Sequence, residues 1–152
     1  MKLKFTLLIV LFFSIVVNAQ VRKKNKINLE KVTIDVIDNT SFYIQKIIDN
    51  RFQKEGIGIV QKTLTNDRSI TVFEHKFEDE LLQYISKIVI PSDLKTPLIV
   101  RVNDLLIYEE TKAFNENGYA YVYLDVFDYK DGIHKCLGSY TANVKNELTQ
   151  LM

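Results

Sequence analysis

The two histidines are the residues best suited to chemistry in this sequence, and neither has the neighbours that catalysis needs. His75 precedes Glu78 and Asp79, and spacings of three and four residues place side chains on one face of a helix. A catalytic zinc ion takes three protein ligands and one open position, and this stretch supplies a single histidine. His134 stands beside a predicted hairpin turn and is expected at the surface. We therefore predict no metal site, no catalytic residue and no enzymatic activity.

Gly56 and Gly58 match the first two glycines of a dinucleotide-binding loop. The third glycine of that motif is missing, and the following residues 59–62 have the composition of a strand rather than of a helix N-terminus. We predict that this segment binds no nucleotide, and we expect no cofactor of any other kind.

Asp49, Asn50 and Arg51 interrupt an apolar stretch and have the composition of a structural corner. Aspartate and asparagine side chains bond their own backbone in turns, and an arginine nearby can pair with a carboxylate through two hydrogen bonds. The single cysteine, Cys136, excludes an internal disulfide. It is predicted to be a small buried apolar residue, with an intermolecular disulfide as the alternative.

The most informative segment for binding is a predicted strand at residues 119–129, because both of its faces are apolar. One face carries Ala120, Val122, Leu124 and Val126 and is expected to meet a helix. The other face is rich in aromatic residues and also carries Asp125; its candidate binding residues are Tyr119, Tyr121, Tyr123, Phe127 and Tyr129. Three fates are open to this face: cover by another element, partial hydration of the tyrosine hydroxyls, or exposure as a surface for a protein or a glycan.

The N-terminus has the three parts of a secretory signal peptide. Lys2 and Lys4 precede an apolar run at residues 5–17, and Ala19 ends a stretch of small or modest residues before Gln20. The run is shorter than the roughly 20 apolar residues that a transmembrane helix needs. We predict cleavage after Ala19 and a periplasmic or secreted protein; an uncleaved anchor is the alternative. No cysteine follows the run, so a lipid anchor is not expected.

Charge gives no reason to expect nucleic acid as a partner. The chain has 20 basic and 19 acidic residues, and loss of Lys2 and Lys4 leaves 18 basic against 19 acidic. Such a balance favours neither nucleic acid nor an anionic membrane surface. We expect no membrane span after cleavage, and the oligomeric state stays open.

The remaining elements follow from periodicity and turn residues. Residues 1–19 are the predicted signal peptide, 20–30 a flexible lead-in and 31–152 a single domain. Within it, strands are predicted at residues 32–36, 42–48 and 69–73, and an amphipathic helix begins near Glu74 with Phe77, Leu81 and Ile85 on one stripe. Asp131-Gly132 predicts a tight hairpin, so that strands at 98–109, 119–129 and 133–143 form an antiparallel meander. A short helix is predicted from Lys145.

Three short motifs carry a resemblance to a known family. They are Ile48-Asp49-Asn50-Arg51, Ile57-Gly58-Ile59-Val60-Gln61 and, after the amphipathic helix, Leu98-Ile99-Val100-Arg101-Val102. Over residues 42–110 the chain resembles the YajG-like and transport-auxiliary lipoproteins of Gram-negative envelopes, and still more the uncharacterised secreted proteins of the same layout. The resemblance implies an envelope-associated, non-enzymatic protein and transfers no catalytic residue. The chain departs from the family in lacking the lipidated cysteine.

The expected fold is α+β: an antiparallel sheet of about five or six strands, one main amphipathic helix packed on one face, and a short C-terminal helix. The expected function is that of an exported, non-enzymatic envelope accessory protein that binds another envelope protein through the aromatic strand face or a free sheet edge. A small-ligand or glycan-binding module that uses the same tyrosines is the alternative.

Overall fold

The computed structural model describes residues 23–29, 35–37, 40–62, 67–111 and 115–149 of the 152-residue chain. The predicted signal peptide lies outside the described residues, and so does most of the strand predicted at 32–36. Residues 35–37 are described and lie outside any strand; there the N–H of Ile37 donates to the carbonyl of Ile88 at 2.9 Å.

The described residues form seven strands and one helix, with strand far exceeding helix. In chain order they are β1 (Lys24–Ile27), β2 (Phe42–Asp49), β3 (Gly58–Lys62), β4 (Asp67–Phe73), α1 (Phe77–Ile88), β5 (Thr96–Thr111), β6 (Asn115–Lys130) and β7 (Ile133–Thr149).

All seven strands belong to one mixed sheet organised around β5. The order along the sheet is β1-β4-β3-β5-β6-β7, and β2 pairs with β5 off this path. On one edge of β5, β2 runs parallel to its first half and β3 runs parallel to it at Ile107 and Tyr108. The other edge of β5 pairs antiparallel with β6 over almost its whole length.

The predicted α+β fold, with an antiparallel sheet of five or six strands, is wrong: the described residues are mostly strand, and their seven strands form one mixed sheet beside a single helix. The sheet is not antiparallel, because the β1–β4, β2–β5 and β3–β5 pairs are all parallel. Short turns between strands predict antiparallel neighbours, but they say nothing about strands that are joined by long connections. In addition Lys24–Ile27, inside the expected lead-in, form β1.

The helix predicted from Lys145 is also wrong, since β7 continues to Thr149. The first half of β6 pairs there, with Asn115 opposite Thr149 and Ala120 opposite Val144. Unpaired backbone groups cost free energy, and this long-range pairing overrides the local preference of the last residues for a helix.

The antiparallel meander of β5, β6 and β7 is confirmed, together with its tight turn. Asp131 and Gly132 have φ angles of 53° and 80°, the left-handed conformations that a two-residue primed turn needs.

Gly58, at the start of β3, is required because β3 and β5 approach each other closely there. A β-carbon at this position would overlap the carbonyl group of Ile107, so only glycine lets β3 lie against β5 here.

Three bulges interrupt the pairing of the long strands. They lie at Gln45 in β2, at Asn103 in β5 and at Leu137 in β7. The bulges in β2 and β7 stand on either side of the row that contains Ile99 and Phe127. A bulge bends its strand and increases the local right-handed twist.

The helix α1 begins without a capping side chain of its own, because its N-cap residue is Lys76. Glu80, in the first turn, is fully buried, and its carboxylate accepts the N–H of Leu29 at 2.7 Å and that of His75, which precedes the helix, at 3.3 Å. This buried carboxylate joins the segment after β1 to the first turn of α1.

The predicted apolar stripe of the helix and the aliphatic face of β6 meet in the core. Ile47, Val100 and Val102 are buried at its centre. The partly buried residues that pack against them come from α1 and the sheet and include Phe77, Leu81, Leu82, Ile85, Leu105, Leu124 and Val126. Full burial of an aliphatic side chain, as at the three central residues, contributes about 1.5–3 kcal/mol. We call this side of the sheet the helix face.

Candidate functional site

The structure places the five candidate aromatic residues along β6, on the side of the sheet opposite the helix. We call this side the aromatic face; it carries Tyr119, Tyr121, Tyr123, Phe127 and Tyr129. The first four are half-buried and Tyr129 is exposed. Among the described elements, β6 contacts mainly its sheet neighbours β5 and β7. No described helix or strand therefore covers these rings as a second layer.

The half-burial of the rings comes from neighbours within the same sheet. Tyr108 of β5 stacks on Tyr119 with 4.5 Å between ring centroids and 9° between planes. The ammonium of Lys145, on β7, lies 6.0 Å from the Tyr119 centroid. At the far end, His134 packs on Tyr129 at 4.7 Å. Such lateral packing holds the rings in place and leaves their outer surface open to a partner.

A polar cluster interrupts the aromatic face at Asp125. Its carboxylate accepts hydrogen bonds from Arg101 (Nη2, 2.8 Å) and Asn103 (Nδ2, 2.7 Å) on β5, and from Ser139 (Oγ, 2.5 Å) on β7. Asn50 extends the cluster by donating to Asn103 at 2.8 Å. The cluster thus fastens three strands together and reaches the loop that follows β2.

The hydrogen bonds to Asp125 determine what the cluster can do chemically. Those from Ser139, Asn103 and Arg101 lower the pKa of Asp125 to about 2. A carboxylate with so low a pKa is a weak base at neutral pH, and a general base works best with a pKa near the working pH. The arrangement of Ser139 on Asp125 therefore supports a structural role rather than activation of the hydroxyl as a nucleophile.

Two shallow cavities flank Tyr108 on this part of the molecule. The first, the tyrosine cavity, has a volume of about 300 Å³ and is lined by Tyr108, Tyr119, Ala120, Tyr121, Asn143, Val144 and Lys145. The second, the loop cavity, has a volume of about 380 Å³ and lies between the loop after β2 and the middle of β5; its lining includes Phe52, Gly56, Ile59, Asn103, Asp104 and Leu106.

The register of the sheet makes the two cavities neighbours. Ile59 stands opposite Tyr108, Tyr108 opposite Tyr119, and Leu106 opposite Tyr121. Ile59, Leu106 and Tyr108 are all exposed, and Phe52 in the loop is 101% exposed. Together with the tyrosines they form one continuous apolar strip across β3, β5 and β6.

The predicted corner at Asp49, Asn50 and Arg51 lies on the other side of the loop. The Arg51 guanidinium donates to both oxygens of Asp49 at 2.9 and 3.0 Å, and to the carbonyl of Gly56 at 2.8 Å. It also lies 3.7 Å from the centroid of the Phe77 ring on α1. Burial alone would raise the pKa of Asp49, but the hydrogen bonds and charge of Arg51 hold this pKa below its ordinary value.

The other residues that could do chemistry are not brought together. His75 is exposed ahead of α1, and within the described residues no group of three histidine, cysteine, aspartate or glutamate side chains could hold a metal ion. Cys136 is exposed on β7, so the prediction that it is buried is wrong. It lies beside a bulge on β7, which among the described strands pairs with β6 alone.

Sequence reasoning missed the residues that surround the aromatic face. Arg101, Asn103 and Ser139 stand on strands next to β6, and only the register of the sheet brings them to Asp125. A single signal was available: Asp125 is the one carboxylate in an otherwise aromatic row. A charged residue in such a row needs partners from its neighbours.

No helix in the described part of the chain is long and apolar enough to cross a bilayer. Comparison with models of protein families, with curated proteins and with solved structures gave no match to this chain. The resemblance to envelope lipoproteins therefore stays a prediction, and the functional argument depends on the geometry.

Proposed function

We propose that this chain is an exported, non-enzymatic accessory protein that binds a short apolar segment of another envelope protein on its aromatic face. The observation that carries the proposal is the apolar strip from Phe52 to Tyr121, which combines exposed side chains with half-buried tyrosine rings and which no described element covers as a second layer. Contiguous apolar patches on a protein surface mark interaction sites.

The size of the strip favours a short segment over a folded domain. Strands lie about 4.8 Å apart and rise about 3.4 Å per residue, so a strip three strands wide (β3, β5 and β6) and about five residues long covers roughly 250 Å². An interface between two folded domains buries about 800 Å² per partner. An extended segment of about five residues would span this strip.

The chemistry of the strip favours apolar or aromatic side chains in the partner. Tyrosines supply large contact area with few rotatable bonds, so they lose little conformational entropy on binding. The stacked pair of Tyr108 and Tyr119 is already held in position. Asn143 and Lys145 at one end and Asp104 at the other offer polar groups that would orient the segment.

The proposal is tested by selecting peptides from a displayed random library on the chain from Gln20 and measuring their affinity by calorimetry. We expect enrichment of segments with apolar or aromatic residues at alternate positions. The Phe52→Ser and Tyr121→Ser variants should each weaken binding about tenfold or more, because a few large aromatic residues contribute most of the binding energy of an interface.

Leu94→Ser is the matched control, since Leu94 is exposed in the loop after α1. This variant should leave the affinity within about twofold of that of the unchanged chain. Failure to enrich any peptide, or binding that survives both Phe52→Ser and Tyr121→Ser, would contradict the proposal. A glycan array probed with the same variants covers the alternative: sensitivity to Tyr121→Ser on glycans alone would replace the peptide with a sugar.

A further inference from the structure

The outermost strand of the sheet, β7, presents a long edge that no described strand covers. It has 17 residues and pairs with β6 on one side only. Large apolar side chains along it are strongly exposed, from 48% at Leu137 to 69% at Ile133, with Tyr140 and Val144 between these values. A bare edge of this length is a template for another strand.

The middle of β7 lacks the protection that the opposite end of the sheet has, because the bulge at Leu137 and the lysines Lys135 and Lys145 lie outside it. The other outermost strand, β1, has four residues, and two of them are lysines. Short length and lysines are common ways to prevent pairing at an edge. In β7, by contrast, the stretch from Gly138 to Val144 has neither a charge nor a proline.

From this edge we infer that two copies of the chain pair β7 against β7, antiparallel, across a twofold axis at Thr141. The seven-residue stretch is complementary to itself in this register. On the helix face, Val144 stands opposite Gly138 of the second copy and Tyr140 opposite Ala142, so each large side chain meets a small one. On the aromatic face, Ser139 meets Asn143 and Thr141 meets Thr141, so polar residues meet polar residues.

Within one copy, the Tyr140 ring lies over Gly138, where an added β-carbon would come within 3.0–3.2 Å of it. In the proposed dimer, Val144 of the second copy would therefore pack against this ring.

The length of the edge favours a second copy over another occupant. Complete cover of β7 needs a strand of similar length, and the outer edge of β1 offers only four residues. A twofold pairing presents each copy of β7 with a strand of identical length, and closed twofold dimers are the commonest symmetric assembly. The result is a continuous sheet of fourteen strands, twice the seven in one copy.

Sedimentation equilibrium of the chain from Gln20, at loading concentrations of about 1–500 µM, tests the inference. We expect a monomer–dimer equilibrium. Thr141→Lys sets two like charges opposite each other, and Tyr140→Lys removes the large member of a large–small pair; each should raise the dimer dissociation constant at least tenfold. Leu94→Lys makes the same charge change at an exposed site away from β7 and should leave the constant within about twofold.

A cysteine placed on the axis tests the register itself. Thr141→Cys in a Cys136→Ser background should form an intermolecular disulfide under mild oxidation, because residues directly opposite have Cα atoms within disulfide range. Leu94→Cys in the same background should not. A monomer at all concentrations, or a dimer that ignores both lysine variants, would overturn the inference. Tyr140 lies on the helix face, opposite the proposed peptide-binding face. A Tyr140→Lys variant that is monomeric and still binds peptide would show that dimerisation can fail while the proposed function holds.

Discussion

Two arginine–aspartate pairs use the same chemistry in two different environments. Arg51 bonds Asp49 and lies over the Phe77 ring, and Arg101 bonds Asp125 and lies 4.9 Å from the Phe127 centroid. The side chains of the first pair are 4% and 8% exposed, whereas Arg101 is 42% exposed beside a buried Asp125.

The difference teaches how environment changes what a salt bridge contributes. The side chains of Arg51 and Asp49 are both buried, so loss of the guanidinium leaves the Asp49 carboxylate with the backbone N–H of residue 51 and no paired arginine in a buried site. Water reaches Arg101 and can replace much of what it donates. We therefore assign the first pair to the stability of the fold, and the second to the surface that we propose for binding.

The largest expected effect comes from replacing the buried arginine. Arg51→Met should lower the free energy of unfolding by about 3–5 kcal/mol, because the Asp49 carboxylate stays buried without its partner. Urea-induced unfolding measures this change. The double variant Asp49→Asn/Arg51→Met should recover part of it, since the uncompensated charge is then gone.

Lys46→Met is the control for this variant, because Lys46 is an exposed cation on the neighbouring strand β2. Its replacement should cost less than about 1 kcal/mol. An equally small loss for Arg51→Met would show that the corner does not depend on the buried pair.

A smaller effect is expected from replacing the arginine of the more exposed pair, Arg101 and Asp125. Arg101→Met should lower the free energy of unfolding by about 1 kcal/mol or less, because Asp125 keeps its bonds from Ser139 and Asn103 and water replaces the arginine. The same urea titration measures it, with Lys130→Met as an exposed control on β6. If Arg101→Met cost as much as Arg51→Met, exposure would not be what separates the two pairs.

The smallest expected difference is in the dependence of stability on pH. The pKa of Asp125 in the folded protein is about 2, below the value of about 3.9 for an unfolded aspartate. Its stabilising contribution is therefore present above pH 4 and is lost as the pH falls toward 2. Asp49, whose pKa is also lowered, contributes with the same sign.

Thermal unfolding followed between pH 7 and pH 2 checks this expectation. The melting temperature should be nearly constant above pH 5 and fall below pH 4, and Asp125→Asn should make that fall shallower. Asp93→Asn, at an exposed loop position, should leave the slope unchanged. A profile of Asp125→Asn that coincides with that of the unchanged chain would contradict the role of Asp125.

Local signals predicted the parts of the fold that are built locally. The stripe of Phe77, Leu81 and Ile85 predicted α1, and Asp131-Gly132 predicted the turn between β6 and β7. The parallel pairs of β5 with β2 and β3 join segments that are far apart in the chain. Neither periodicity nor turn residues carry information about such long-range pairs, so the mixed sheet could not be predicted from the sequence.

The candidate site likewise has a part that local sequence signals predicted and a part that depends on long-range pairing. Alternation along β6 placed five aromatic residues on one face, because a strand has a period of two. Arg101 and Asp125 are 24 positions apart, and a one-residue change of register would have sent Arg101 to the helix face. The cluster around Asp125 therefore could not be derived before the pairing of β5 with β6 was known.

The bulges on either side of the Ile99 and Phe127 row have a consequence for any ligand of the aromatic face. Extra twist at that row is expected to turn Phe127 and Tyr129 away from the direction in which Tyr119 to Tyr123 point. We therefore expect the five rings to follow a twisted path rather than a plane. A stiff, flat molecule can therefore contact the rings at one end of the row. Only a ligand that follows the twist of the sheet can contact the rings at both ends.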